Sequence, residues 1–267
     1  MNVQTPLEAI TGLASGQVQL AALALVRIAS MISLLPVLGS QSLPRQVKIG
    51  LAFALLLCIF PTLPHNTAAM PSSVWGFGGL VLREICVGLI AGWAFGLVFQ
   101  VMEFAGGVID MQAGYSMIEL FDPTTGESTH LFGQFLGIAA TVSFLAGGGH
   151  AQLIASLARS FQEIPLATAH FDANLLVPQA SALVVRSILL GLQLCGPVLM
   201  ALLMLTLVMA VISRIMPSMN AWLVVMPLQV LTASAVTALS LPFMLRVFRG
   251  WQDNVFQATS AILTGMR

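Results

Sequence analysis

Apolar runs longer than a soluble core needs decide what this chain can become. Residues 18–38, VQLAALALVRIASMISLLPVL, carry a single charge, Arg27. A helix rises about 1.5 Å per residue, so about 20 such residues cross a hydrocarbon layer of roughly 30 Å. Five further apolar blocks follow at 49–63, 74–102, 131–158, 181–212 and 221–245. Only 7% of the 267 residues are charged and 58% are hydrophobic, whereas a soluble domain has about 25% charged residues to cover its surface. The expectation is an all-α, polytopic integral membrane-type protein of about six apolar helical blocks, several of them bent or forming hairpins, because lipid tolerates only internally hydrogen-bonded backbone.

Charge excludes several functions. Ten basic and ten acidic residues balance to zero, and no basic patch with interleaved aromatics exists, so no nucleic-acid partner is expected. Cys58, Cys86 and Cys195 sit singly in apolar blocks and read as small buried hydrophobes rather than metal or redox ligands. No basic segment precedes the first apolar run, and no cleaved signal peptide is expected.

The blocks are not uniform. The 49–63 block is short and ends at Pro61 and Pro64, and the 131–158 block is broken by Gly147-Gly148-Gly149-His150. Three successive glycines predict a bend or hairpin. Arg45 and Lys48 favour a cytoplasmic first loop, and Arg246, Arg249 and Arg267 favour a cytoplasmic tail. Five blocks separate these points, and five simple crossings would put them on opposite sides. Either one or more blocks, with 131–158 and 49–63 the candidates, form a hairpin or partial crossing, or the charge rule does not hold for this chain.

Charges inside apolar blocks need protein or water around them. Arg27, Arg83, Glu84 and Arg186 are such charges. Arg83 and Glu84 are adjacent and do not face each other on a helix, so each is expected to find its partner elsewhere. Gly88, Gly92 and Gly96 form a stripe that permits close helix approach.

Glu103 to Glu127, EFAGGVIDMQAGYSMIELFDPTTGE, is neither a clean span nor an ordinary polar loop. It holds five of the ten acids and lies in the basic-free interval between Arg83 and Arg159. Gly106, Gly107 and Gly114 are expected to loosen the backbone, and Asp122-Pro123 reads as a turn. The stretch can line or cap a cavity, or simply connect two blocks.

No phosphate loop, dinucleotide fingerprint, zinc-protease helix or calcium loop occurs, so neither enzyme, cofactor nor metal is expected. Ser116 with His130 and His150 lacks the setting of an intramembrane serine protease. A solitary proton-coupled transporter using Arg27, Arg83, Glu84 and Arg186 as a relay is the rival from another class, though no inverted repeat supports it.

A set of short pieces, in order, spans residues 26–245: Val26-Arg27, Leu43-Pro44-Arg45-Gln46-Val47-Lys48, Arg83-Glu84-Ile85-Cys86-Val87-Gly88, Glu103-Phe104-Ala105-Gly106, Asp110-Met111-Gln112-Ala113-Gly114, Phe121-Asp122-Pro123, Gly149-His150, Ser160-Phe161 and Ser213-Arg214-Ile215-Met216-Pro217-Ser218-Met219-Asn220 with Pro227. In these pieces the chain resembles the FliR/SctT family of type III export-gate proteins, flagellar rather than injectisome in its details. The resemblance implies a subunit that assembles with FliP-like and FliQ-like proteins, joined by FlhB and FlhA, in the bacterial inner membrane at the flagellar basal body, in contact with lipid and with unfolded flagellar export substrates. It implies one FliR-type domain over 1–267, FliP-like over about 1–180 and a FliQ-like hairpin with tail over about 181–267. It implies a plug over 106–122, built on Gly106, Gly107, Ile109, Asp110, Met111, Gln112, Gly114, Met117, Phe121, Asp122 and Pro123. It further implies buried assembly contacts at Arg27, Arg83, Glu84, Glu103 and Arg186, and a hairpin turn marked by Arg214, Pro217, Asn220 and Pro227.

Overall fold

The computed structural model describes residues 6–35, 44–62, 73–115, 130–216 and 221–266. Among these, seven α-helices follow one another: α1 (Pro6–Leu34), α2 (Arg45–Ile59, continued by a 3-10 turn at Phe60–Thr62), α3 (Val74–Ala113), α4 (Leu131–Ala146), α5 (Gly149–Glu163), α6 (Ala173–Ile215) and α7 (Ala221–Thr264). No strand occurs among the described residues.

Among the described residues, four helical stretches are long and apolar enough to cross a membrane, Gly16–Leu34, Trp75–Ala113, Ala173–Ile215 and Leu223–Thr264, or up to five if α4 and α5 together make one span. The six apolar blocks thus reduce to four or five candidate spans. The block at 49–63 is helical as far as Ile59, in the 15-residue α2, which is too short to cross. The block at 131–158 bends by 73° between α4 and α5, with Gly148 at a φ of 73° that a side chain with Cβ adopts only under strain.

The chain divides into two compact units. The first comprises Met1–Gly96, His150–Ala182 and Val255–Arg267. Its α1 core positions, Leu20, Leu23, Ala24, Ile28 and Met31, recur every three or four residues, as one buried helix face requires. Gly88 and Gly92 of α3 supply the close approach: a Cβ on Gly92 would stand 2.6 Å from the Met31 carbonyl oxygen. At Gly88 and Gly92 the glycine stripe is thus occupied by this chain's own first helix. His170 N–H donates to the Met266 carbonyl at 2.9 Å, which ties the end of α7 to the α5–α6 connection.

The second unit comprises Leu97–Gly149 and Leu183–Asn254. Phe132, Leu136, Ala140 and Phe144 make a buried stripe along α4, and Phe99 packs on Phe144 with ring centroids 5.0 Å apart. Gly191 of α6 gives room to Phe104, whose ring carbon would lie 2.5 Å from a Cβ there. Much of α6 and α7 points apolar side chains outward, among them Leu203, Leu207, Leu231 and Leu239. Such a surface suits lipid or neighbouring apolar helices.

Two expected boundaries move. The sequence predicts a loosened stretch from Glu103, but α3 stays helical to Ala113. The reason is packing. Ala105, Ile109 and Ala113 repeat on one buried face, and Gly106 lies against α4, which outweighs the helix cost of glycine, about 1 kcal/mol. The last apolar block, expected to end at 245, continues as α7 to Thr264, because Phe248, Trp251, Val255 and Ile262 keep a buried helical period beyond the arginines.

Candidate functional site

Two buried charged centres and one cleft organise the residues of interest. In the first unit, Arg27 on α1 is 1% exposed and Glu84 on α3 is fully buried. The Arg27 Nε donates to Glu84 Oε2 at 2.5 Å. Arg27 Nη1 donates to the carbonyls of Ser160, at 3.1 Å, and Ile164, at 2.9 Å. Ser160 lies in the last turn of α5, its carbonyl also accepting the Ile164 N–H at 3.0 Å, and Ile164 follows the helix end; the negative end of the helix dipole favours a cation there. The guanidinium carbon also stands 4.6 Å from the Phe161 ring centroid, a cation–π distance. Glu84 Oε1 accepts the N–H of Ala167 at 3.0 Å, and Ala167 has a φ of 69°, unusual for a residue with a Cβ. A net-neutral ion pair therefore fastens α1, α3 and the turn after α5.

The other expected charge contacts are placed differently. Arg83, Glu103 and Arg186 are exposed on this chain, whereas Arg27 and Glu84 are buried. Arg83 turns away because helical spacing puts it 100° from its buried neighbour. Glu103 lies along α4, where a Cβ on Gly137 would be 3.0 Å from its Cγ. Arg27–Glu84 is an ion pair with both side chains buried.

In the second unit, Asp110 is 2% exposed near the end of α3. Its Oδ1 accepts the Phe132 N–H at 2.9 Å and its Oδ2 accepts the Gly133 N–H at 3.0 Å. A Cβ on Gly106 would lie 2.5 Å from the backbone nitrogen of Gly133, whereas Gly107 has open space. Gly106 is thus a packing contact rather than a loosening point. The backbone departs from the helix at Gly114, with φ at 90°. Tyr115 N–H donates to the Asp110 carbonyl at 3.1 Å, and its ring meets Phe132 edge-on at 5.9 Å.

A cleft of about 400 Å³ adjoins this point, lined by Met111, Gln112 and Gly114, by Met209 and Ser213 of α6, and by Met226 and Gln229 of α7. Met111 is largely exposed, while Ile109 is fully buried in the chain's own core. Ile109, which the resemblance places in the plug, packs its side chain inside the chain's own core. Arg214 is exposed in the last turn of α6, and Pro227 lies inside α7. Met117, Phe121, Asp122, Pro123, Pro217 and Asn220 lie outside the described residues.

The sequence singled out Arg27, Glu84 and Asp110 but not what they bind. The acceptors of Arg27 are backbone carbonyls 133 and 137 residues away, and backbone atoms leave no mark in a sequence. One signal was available for α4. It opens at His130, which makes no side-chain cap and is not among the favoured cap residues, so a cap from elsewhere was to be sought.

The family model of bacterial export proteins, family 1, matches residues 18–255. The chain belongs to this family. Among relatives, it is 30% identical over 245 residues to the flagellar biosynthetic protein FliR of Pectobacterium carotovorum subsp. carotovorum, covering 90% of each chain. It is 28% identical over 244 residues to the flagellar biosynthetic protein FliR of Escherichia coli (strain K12), covering 90% of this chain and 91% of that one. It is also 28% identical over 219 residues to the Yop proteins translocation protein T of Yersinia pestis, covering 79% and 82%. The bacterial export family match spans both buried centres and the cleft.

Proposed function

We propose that this chain is a subunit of a type III protein-export gate of the flagellar kind, acting as a structural and transport component rather than as an enzyme. The observation that carries this is similarity to FliR proteins over about nine-tenths of the chain, joined to an all-helical structure with four or five membrane-length apolar spans. In this reading the chain sits in the bacterial inner membrane at the flagellar basal body. It assembles with FliP-like and FliQ-like subunits and with FlhB and FlhA around a path for unfolded flagellar substrates. The FliP-like portion to about residue 180 and the FliQ-like hairpin beyond it belong to this proposal.

The outward apolar faces of α6 and α7 are then partner- and lipid-facing. Exposed Arg83, Glu103 and Arg186 supply charge for pairing across subunit contacts. The segment from Gly106 to Asp122 contributes to sealing the closed path, with Met111 the exposed bulky residue of its helical part. An injectisome subunit is the second reading, favoured by the similarity to the Yop translocation protein. Gentle detergent purification of the tagged chain from its host, with native mass spectrometry, tests the proposal. FliP-like and FliQ-like chains in one complex are the expected result. A stable partner-free chain that transports protons in liposomes would replace the gate with a solitary transporter.

A further inference from the structure

We infer that Asp110 is a positioning residue, which caps α4 from another helix and thereby fixes the end of α3 and the start of α4, between which the segment assigned above to the channel seal begins. The inference rests on the gate reading for its consequence, though its geometry stands alone. The first N–H groups of a helix have no intrahelical partner. For α4 the nearest side chain, His130, leaves them uncapped. Asp110, 22 residues earlier, serves one N–H with each carboxylate oxygen.

That carboxylate is buried, and no lysine or arginine pairs with it among the described residues. An unpaired buried charge is expensive unless hydrogen bonds and dipoles replace water around it. Here two N–H groups and the positive end of the α4 dipole do so. Asparagine has the same shape but one acceptor, and it would turn its own NH2 toward the second donor. Glutamate is one methylene longer, where α3 and α4 already touch at Gly106 and Gly133.

The same residue holds the outgoing chain. Its carbonyl accepts the Tyr115 N–H, and the Tyr115 ring rests on Phe132, whose N–H the Asp110 carboxylate also holds. One residue therefore fixes where the chain leaves α3 and where it enters α4. Met111, Gln112 and Gly114 are presented to the cleft from between those fixed points.

Hydrogen exchange of the full-length chain in detergent tests the cap. In Asp110→Asn, the amides of Phe132 and Gly133 are expected to exchange at least about tenfold faster, as loss of one charge-assisted bond implies, with the rest of α4 unchanged. Ion leak through the complex co-purified with its partners tests the positioning role. Asp110→Asn is expected to raise leak several-fold at normal complex recovery. Adding His130→Asp supplies a local cap; it should restore amide protection and leave the leak. Unchanged exchange at Phe132 and Gly133 overturns the cap. Background leak, or a leak cured by the local cap, overturns the positioning role. Failure to recover partners counts against the gate reading instead, and leaves the exchange result intact.

Discussion

Glu84→Ala puts the largest strain on this fold. It leaves Arg27 charged, 1% exposed and without its carboxylate. It also leaves the Ala167 N–H without an acceptor. Breaking one side of a buried pair costs about 3–5 kcal/mol, and the part-buried Ala167 N–H adds about 1 kcal/mol, the low end of the range for an unpaired buried donor. The carbonyls of Ser160 and Ile164 and the Phe161 ring still hold the guanidinium, so the lower part of the summed range, about 4 kcal/mol, is expected. For a chain of this size that is roughly an 8–16 °C fall in unfolding temperature, at about 2–4 °C per kcal/mol. The assay is a double-mutant cycle read by thermal unfolding in detergent: Glu84→Ala, Arg27→Met, and both together. Replacing a whole buried pair by apolar side chains is often near neutral, so the double variant should lie well above the sum of the singles. A coupling near zero would refute the claim that the pair joins α1 to α3.

Gly106→Ala should destabilise the chain by several kcal/mol, because its Cβ would strike the backbone of α4, whereas Gly107→Ala, with nothing within 4 Å, should be neutral or add up to about 1 kcal/mol through helix propensity; equal effects in chemical denaturation would be against the packing argument. Ala167→Gly should raise the unfolding temperature, relieving about 1 kcal/mol of left-handed strain at a φ of 69°, and a fall would mean that glycine's entropy in the unfolded chain outweighs it. In the gate reading, deleting 116–122 should raise ion leak without loss of the complex, whereas a deletion from 106 should also destabilise the chain by removing Asp110; background leak in the shorter deletion would end the sealing role. Arg83→Ala should leave stability unchanged, since the side chain is exposed, but lower recovery of the complex, and normal recovery removes it from the assembly contacts.

The features legible in advance were those written in side-chain type and spacing. Apolar runs gave the helical class, Gly147-Gly148-Gly149 gave the bend, and Arg27 inside an apolar run predicted a protein partner for its charge. What stayed hidden depended on backbone atoms and on tertiary contact. Gly106 and Gly107 look alike in sequence, yet one is pressed on α4 and the other faces open space. Asp110 looked like part of a loose acidic segment because its two donors are main-chain N–H groups beyond the next turn. The extension of α7 past Arg246 was masked by charges that fall between its buried positions.

The Arg27–Glu84 pair also constrains the order of biogenesis. Arg27 leaves the ribosome 57 residues before its carboxylate and 137 residues before the last carbonyl that it binds. On insertion scales an arginine at the centre of a span costs about 2.5–3.5 kcal/mol. During synthesis α1 is therefore made with its charge unmatched. Its carboxylate partner arrives with α3, and the carbonyls that complete the shell around the guanidinium arrive only with the end of α5. Mutations at Glu84 should accordingly shorten the life of the nascent chain before they affect any finished assembly.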